Sequence, residues 1–211
     1  KIGQVQLFRK YRAPHPETLV FPSADDFSLL WGSKEPPFSF GYPFVFKFPW
    51  SGEGRNVWRV NHVAEFRRLL AKATVFEQSG QKGFLLQRFI ETGGRSLRVV
   101  VIGEMCRSYW RVQPDPSCFG TQAAQGATID HHTDKHLQEK AKTLVMHFCK
   151  ATGINLAGFD LLFQNGGGDP AAFFLEINYY FGRRGLGGSE SFYKMLCEEI
   201  DKWLYQRGLL Q

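Results

Sequence analysis

The spacing of apolar residues divides the chain into short strands and a few long helices. Val5, Phe8 and Tyr11 recur at helical spacing and predict an opening helix that Pro14 ends. Thr18 to Phe21 reads as a short strand, and Asp25-Asp26 as the start of a brief helix. Phe44-Val45-Phe46-Lys47-Phe48 has strand composition. A polar, glycine-bearing turn (Ser51-Gly52-Glu53-Gly54-Arg55) leads to a second strand from Asn56 to Val60, which makes a hairpin. Asn61 is placed to cap a helix that carries Val63, Phe66 and Leu70 inward.

Farther on, Gly83 to Ile90 predicts a strand, and Ser96 to Ile102 with Met105 to Val112 predict a hairpin around Gly103-Glu104. Pro114 to Thr133 has loop composition. Asp134 caps a long helix with Leu137, Ala141, Leu144, Val145 and Phe148 on one stripe, and Gly153 closes it. Asn155 to Phe163 and Ala172 to Asn178 are strands joined by a glycine-rich turn. Ser189 starts a last helix with Phe192, Met195, Leu196, Ile200, Trp203 and Leu204 inward. Hairpins with helices outside them define an α+β fold of antiparallel sheets. The missing strand-helix-strand alternation argues against a doubly wound nucleotide-binding sheet.

The 211 residues, with 43% hydrophobic and 22% charged, can build a core and exclude whole-chain disorder. No run approaches the roughly 18 apolar residues of a membrane span. Lys1 to Arg12 carries basic residues and no long apolar core, so it does not read as a secretory leader. The four cysteines are scattered with no C-x-x-C pair, which suits reduced thiols and a cytoplasmic setting. A net charge of +6 favours an anionic partner without naming it. No helix or aromatic platform is dedicated to nucleic acid.

Several residue groups carry candidate chemistry. Glu176 and Asn178 share one face of their strand, opposite Phe173, Leu175 and Ile177. Pairing that strand with Phe159-Asp160-Leu161 brings Asp160 to the same side. Converging carboxylates repel unless a cation lies between them, and oxygen-only ligands suit Mg²⁺. The other reading is a half-exposed sheet with scattered polar residues. Lys47 ends an apolar strand just before Gly52 and Gly54, so lysine and backbone N–H groups could meet a phosphate. An ordinary hairpin whose lysine faces water is the alternative. Gln87-Arg88-Phe89-Ile90 ends a strand at a lobe junction, where backbone groups can read an adenine edge. Arg98 could meet a phosphate or carboxylate, or a surface acid. Arg183 and Arg184 lie in a glycine-rich segment before a helix, suited to an acidic substrate or to solvent.

In this order, these segments resemble the ATP-grasp superfamily over nearly the whole chain, and most of all its ribosomal-protein glutamate ligase and glutathione-synthetase-like branch. The resemblance implies two lobes, 1–85 and 86–211, with ATP between them, and an amino-terminal lobe absent from this chain. It implies that Lys1 and Lys47 contact ATP and that the loop with Ser51, Gly52 and Gly54 closes over the phosphates. Gln87, Arg88 and Ile90 would form the adenine hinge, and Arg98 would be the catalytic arginine at the reacting phosphate or acyl-phosphate. Asp160, Glu176 and Asn178 would hold Mg²⁺. The chain departs from the pattern in places. Arg88 stands where the hinge usually has a carboxylate or a neutral residue, and a ribose-binding carboxylate is missing near Ser96. The asparagine and arginine expected near Thr121 and Ala124 are missing, and Phe181-Gly182 replaces a proline-glycine pair. On this resemblance the nucleotide and metal apparatus would be kept and the acceptor side altered.

The function expected is an ATP-dependent carboxylate–amine ligase using an acyl-phosphate, with ATP and a small acidic substrate or peptide as partners. A small-molecule kinase on the same scaffold, or a nucleotide-binding module inactive without its missing lobe, are the alternatives.

Overall fold

The computed structural model describes residues 1–31, 38–50, 56–115, 119–121, 126–165 and 169–210. Its elements are α1 (Ile2–Lys10), β1 (Thr18–Phe21), α2 (Ala24–Trp31), β2 (Phe44–Lys47), β3 (Val57–Val60), α3 (Val63–Gln78), β4 (Phe84–Arg88) and β5 (Arg95–Ile102), followed by β6 (Met105–Val112), β7 (Thr128–Asp130), α4 (Lys135–Thr152), β8 (Leu156–Phe163), β9 (Ala172–Asn178) and α5 (Ser189–Gln206). Among the described residues, no helix is long and apolar enough to cross a membrane.

Two antiparallel sheets result, with strand orders β1-β4-β2-β3 and β7-β6-β5-β8-β9. The first sheet rests on an aromatic core. Phe44, Phe46 and Phe48 point to one side of β2 and meet Phe66 and Phe84, all nearly or fully buried. Phe46 stacks on Phe84 with ring centroids 4.9 Å apart. Alternation therefore leaves Val45 and Lys47 on the opposite face, toward the second sheet. In α3 the N-cap is His62, not Asn61, and the buried stripe is Phe66, Leu69 and Ala73, with Leu70 half-buried. Asn61 still serves the helix start, because the Glu65 carboxylate reaches back to its backbone N–H at 2.7 Å.

The second sheet packs α4 and α1 against Leu97, Val99, Val101, Phe159 and Leu161. α1 thus precedes the first sheet in sequence but shares the second sheet's core through Phe8. Its Gln4 side chain also completes the edge strand, donating to the Ile177 carbonyl at 2.6 Å and accepting from the Ile177 N–H at 3.2 Å. α5 covers part of the other face, over Val100, Ile102 and Tyr109. Phe192 and Met195 are buried there, whereas Ile200 and Trp203 are 45% and 50% exposed. The inward assignment of those two residues fails because the helix runs on past the sheet. Its last buried side chain is a carboxylate: Glu199 accepts the Glu104 N–H at 2.6 Å and caps the β5–β6 turn. β7 lies within the stretch expected to be loop and pairs with β6 at Trp110↔Asp130.

The strand pairing carries one irregularity that matters. Asp160 opposes Glu176, but Leu161 opposes Phe174, so Leu175 is an extra residue in β9. The buried set is Ala172, Phe174 and Ile177 rather than Phe173, Leu175 and Ile177. Strict alternation placed Phe173 and Leu175 in the core. The bulge instead turns Leu175 to the cleft while keeping Glu176 opposite Asp160.

Tyr109 packs face-on against the segment before α5. A Cβ at Gly185 would lie 2.2 Å from the Tyr109 ring. Gly185→Ala is therefore expected to lower unfolding free energy by roughly 1–3 kcal/mol, the usual range for overpacking, as read from urea denaturation. Unchanged stability would show that this segment is not seated on Tyr109.

Candidate active site

A cavity of about 1060 Å³ lies between the sheets. The first sheet lines it with Val45, Lys47, Leu85 and Gln87, which alternation turns away from the phenylalanine core. The second contributes Ser96, Leu162, Leu175 and Glu176; Lys1, just before α1, and Gln4 within it add to the lining. Arg88, Phe89 and Ile90 line it where the chain leaves β4. The Arg88 backbone N–H is not free, since it bonds the Glu17 carbonyl at 2.8 Å. The side chain of Arg88 is exposed.

Lys47 is held by a polar chain. Its Nζ donates to Gln87 Oε1 at 2.6 Å, Gln87 Nε2 donates to Thr18 Oγ1 at 2.8 Å, and that hydroxyl donates to the Pro16 carbonyl at 2.7 Å. Lys1 Nζ donates to the Phe48 carbonyl at 3.0 Å. Burial lowers the pKa of Lys47 to about 8, against the opposing pull of Glu176. Burial also lowers Lys1, again opposed by Glu176. No hydrogen bond or ion pair within the described residues engages the Glu176 carboxylate, so two ammonium groups and a carboxylate face one space.

Beside Glu176 the sheet carries a row of directly paired residues: Tyr109, Arg98, Asp160 and Glu176. Asp160 is 3% exposed. Its Oδ1 accepts from Arg98 Nε at 2.5 Å and Arg111 at 2.7 Å. Its Oδ2 accepts from Arg98 at 3.1 Å and from the Asn178 amide at 3.1 Å. Burial would raise this carboxyl, but the guanidinium groups of Arg111 and Arg98 overcome it and hold the pKa below the ordinary range. Gly158 makes room for Arg98, since a Cβ there would lie 3.0 Å from its guanidinium.

The structure brings Lys1, Lys47, Gln87, Arg88, Ile90 and Glu176 to one cavity. It joins Arg98, Asp160 and Asn178 in the adjoining network. Ser51, Gly52 and Gly54 lie outside the described residues. Arg183 and Arg184 do not line the cavity. Arg183 instead sits 4.7 Å from the rings of both Phe192 and Tyr193 and donates to the Tyr193 hydroxyl at 3.1 Å. Arg183 thus packs on α5 away from the cavity, and Arg184 is exposed at the start of a 3-10 turn. Arg111 was not singled out from sequence. The signal was available, because Arg107, Tyr109 and Arg111 share a face of β6 and Tyr109 pairs with Arg98.

For a divalent cation, two opposed carboxylates and an amide on one sheet face are suitable hard donors, with water and phosphate oxygens completing the shell. The described residues contain no cluster of three or more His, Cys, Asp or Glu able to hold a metal alone. The donor set therefore fits an ion that arrives with its own anionic ligand.

Two antiparallel sheets closing on a lysine-lined cleft are the arrangement of an ATP-grasp protein. The chain belongs to the RimK-like ATP-grasp domain family, whose model matches residues 1–193. It is 28% identical over 178 residues to beta-citrylglutamate synthase B of Danio rerio, covering 79% of this chain and 39% of that protein. Its fold is similar to the crystal structure of a RimK-domain ATP-grasp protein from Sphaerobacter thermophilus DSM 20745, with a TM-score of 0.62 at 18% identity over 94% of this chain and 66% of the other. The chain thus spans well under half the length of the curated relative.

Lys47 should titrate near 8 in lysine-selective NMR of the free protein. The native pKa lies below the ordinary lysine value of 10.5, so the unfolded chain binds more protons between the two values. The destabilisation from charging Lys47 is then full below about 8 and is relieved as pH rises from about 8 to 10.5. Lys47→Met should remove that rise in stability with pH. Titration of Lys47 above 10 would show that the cleft does not desolvate it.

Proposed function

We propose that this chain is the ATP-binding and catalytic region of an ATP-dependent carboxylate–amine ligase that works through an acyl-phosphate. The observation that carries the reading is the shared cavity of Lys1, Lys47 and Glu176 next to the Arg98–Asp160 pair. In this reading the adenine lies against Phe89 and Ile90, where the chain leaves the sheet. Lys47 and Lys1 face the phosphates, each with a fixed acceptor that holds its ammonium in place. Asp160, Glu176 and Asn178 would hold Mg²⁺, which neutralises phosphate charge when bound. Arg98 is the catalytic arginine, its guanidinium oriented by two hydrogen bonds to Asp160.

The chemistry balances as two displacements. A substrate carboxylate oxygen attacks the γ-phosphorus, the bond to the β,γ-bridging oxygen breaks, and ADP leaves. An amine nitrogen then attacks the acyl carbon, inorganic phosphate leaves with the electron pair, and the nitrogen loses a proton. Phosphoryl transfer depends mainly on positioning and charge neutralisation, which the fixed cations supply. The acidic substrate class is supported by the net charge of +6 and by a relative named for making beta-citrylglutamate.

Mg-ATP at about a hundredfold its dissociation constant should add roughly 2.7 kcal/mol to native stability. In a chain of this size that is a rise in melting temperature of roughly 5–11 °C. Lys47→Met should abolish most of the shift at the same nucleotide concentration. ADP release should then require both an acidic carboxylate donor and an amine. No shift at millimolar Mg-ATP sinks the nucleotide site, and a phosphorylated hydroxyl product would reassign the chain as a kinase.

A further inference from the structure

Asp160 has no acceptor capacity to spare. An ionised carboxylate offers about four lone-pair positions. Here they take Arg98 Nε and Arg111 on Oδ1, and Arg98 and Asn178 on Oδ2. A metal ion cannot bond this carboxylate until a donor leaves. The donors are not equally held. Arg98 grips with two nitrogens and is 6% exposed. Arg111 uses one nitrogen for Asp160, and that same nitrogen reaches Ser96 Oγ at 3.2 Å. The Nε of Arg111 is buried with no hydrogen-bond partner. Ser96 itself lines the nucleotide cavity, so the route out for Arg111 leads toward that space.

We infer that Arg111 is a place-holding cation on Asp160, which a divalent ion displaces when it loads with nucleotide. The inference rests on the metal–nucleotide reading above. Arg98 stays on the carboxylate, while the released Arg111 carries its charge toward the anionic ligand. Metal loading and the arming of a second arginine are then one exchange on one oxygen. Asp160 remains ionised throughout, and only its cationic partner changes. Asn178 takes part by turning its amide over, so that its oxygen replaces its nitrogen toward the site.

The test measures Mn²⁺ binding to the whole chain in saturating ADP, from the loss of the free-ion electron paramagnetic resonance signal. Arg111→Met removes the competitor but leaves Asp160 paired with Arg98, and should tighten Mn²⁺ by roughly tenfold. Ser96→Ala removes the second tether and should tighten it in the same direction by a smaller factor; it serves alone if Arg111→Met does not fold. Arg107→Met deletes an equal charge on the same face of β6 but is not a partner of Asp160, and should change affinity by less than about twofold. Equal or weaker Mn²⁺ binding in both Arg111→Met and Ser96→Ala overturns the exchange while leaving the nucleotide site intact. Equal tightening in Arg107→Met also overturns it, because general electrostatics would then suffice. If neither wild type nor the variants bind Mn²⁺ with ADP, the metal–nucleotide reading falls together with this inference.

Discussion

A carboxylate buried on an interior strand of a five-stranded sheet stays ionised only if opposite charge reaches it, and the rest of this cleft is arranged around that requirement. Asp160 sits at 3% exposure with Arg98 directly beside it on the next strand. Burying such a pair in good geometry is close to neutral for stability, whereas removing one partner strands a charge. The arrangement therefore reads better as a device for holding arginines than as a source of fold stability. Gly158 belongs to the same arrangement, because its missing side chain lets Arg98 lie across β8 toward its partner. Tyr109 closes the row from β6, with its ring packed on Gly185 and its phenol raised in pKa by burial.

The first sheet solves a different problem. Lys47 must face a cleft from a strand whose phenylalanines pack inward, and the strand does this by alternation alone. Phe44, Phe46 and Phe48 bury their rings in one core while Lys47 emerges on the opposite side. The aromatic contacts lock that strand, and a locked strand holds the ammonium in position before any ligand arrives. Gln87 and Thr18 extend the hold across two neighbouring strands, so the lysine is oriented by three strands of the sheet. Fixed donors of this sort lose little freedom when an anion binds, which is the energetic advantage of a preorganised site.

Much of this was legible from the amino-acid pattern, for a physical reason. Period-two alternation records which face of a strand is buried, so the faces of Lys47, Asp160 and Glu176 are legible in the sequence. What alternation cannot record is an inserted residue. The bulge at Leu175 shifts the register by one, and Phe173 leaves the core although its neighbours give no warning. Helix periodicity failed in a similar way at Ile200 and Trp203, since a stripe shows which side of a helix is apolar but not how far the neighbouring sheet extends. Arg183 escaped because a cation beside glycines looks the same whether it faces solvent or stacks on aromatic rings eight or more residues later in the chain. Alternation puts Arg111 on the same face as Tyr109, but its partner Asp160 lies two strands away, so the face is legible in the sequence and the pairing is not.

The two sheets contribute opposite halves of one site, so their relative placement is itself a functional quantity. α1 provides a direct link. Its Gln4 amide satisfies both backbone groups of Ile177, between Glu176 and Asn178, while Lys1 just before the helix donates to the Phe48 carbonyl beyond β2. One short helix thus touches the bulged edge strand of the second sheet and the lysine-bearing strand of the first. A peptide group at a sheet edge needs a partner, and a glutamine side chain presents one donor and one acceptor at the spacing that peptide presents. The bond pair consequently fixes β9 next to its bulge, where a small rotation would separate Glu176 from Lys47. Fidelity of the cleft then depends on a helix that contributes no charged group of its own to that face-off, because it sets the distance between Lys47 and Glu176 across the cavity.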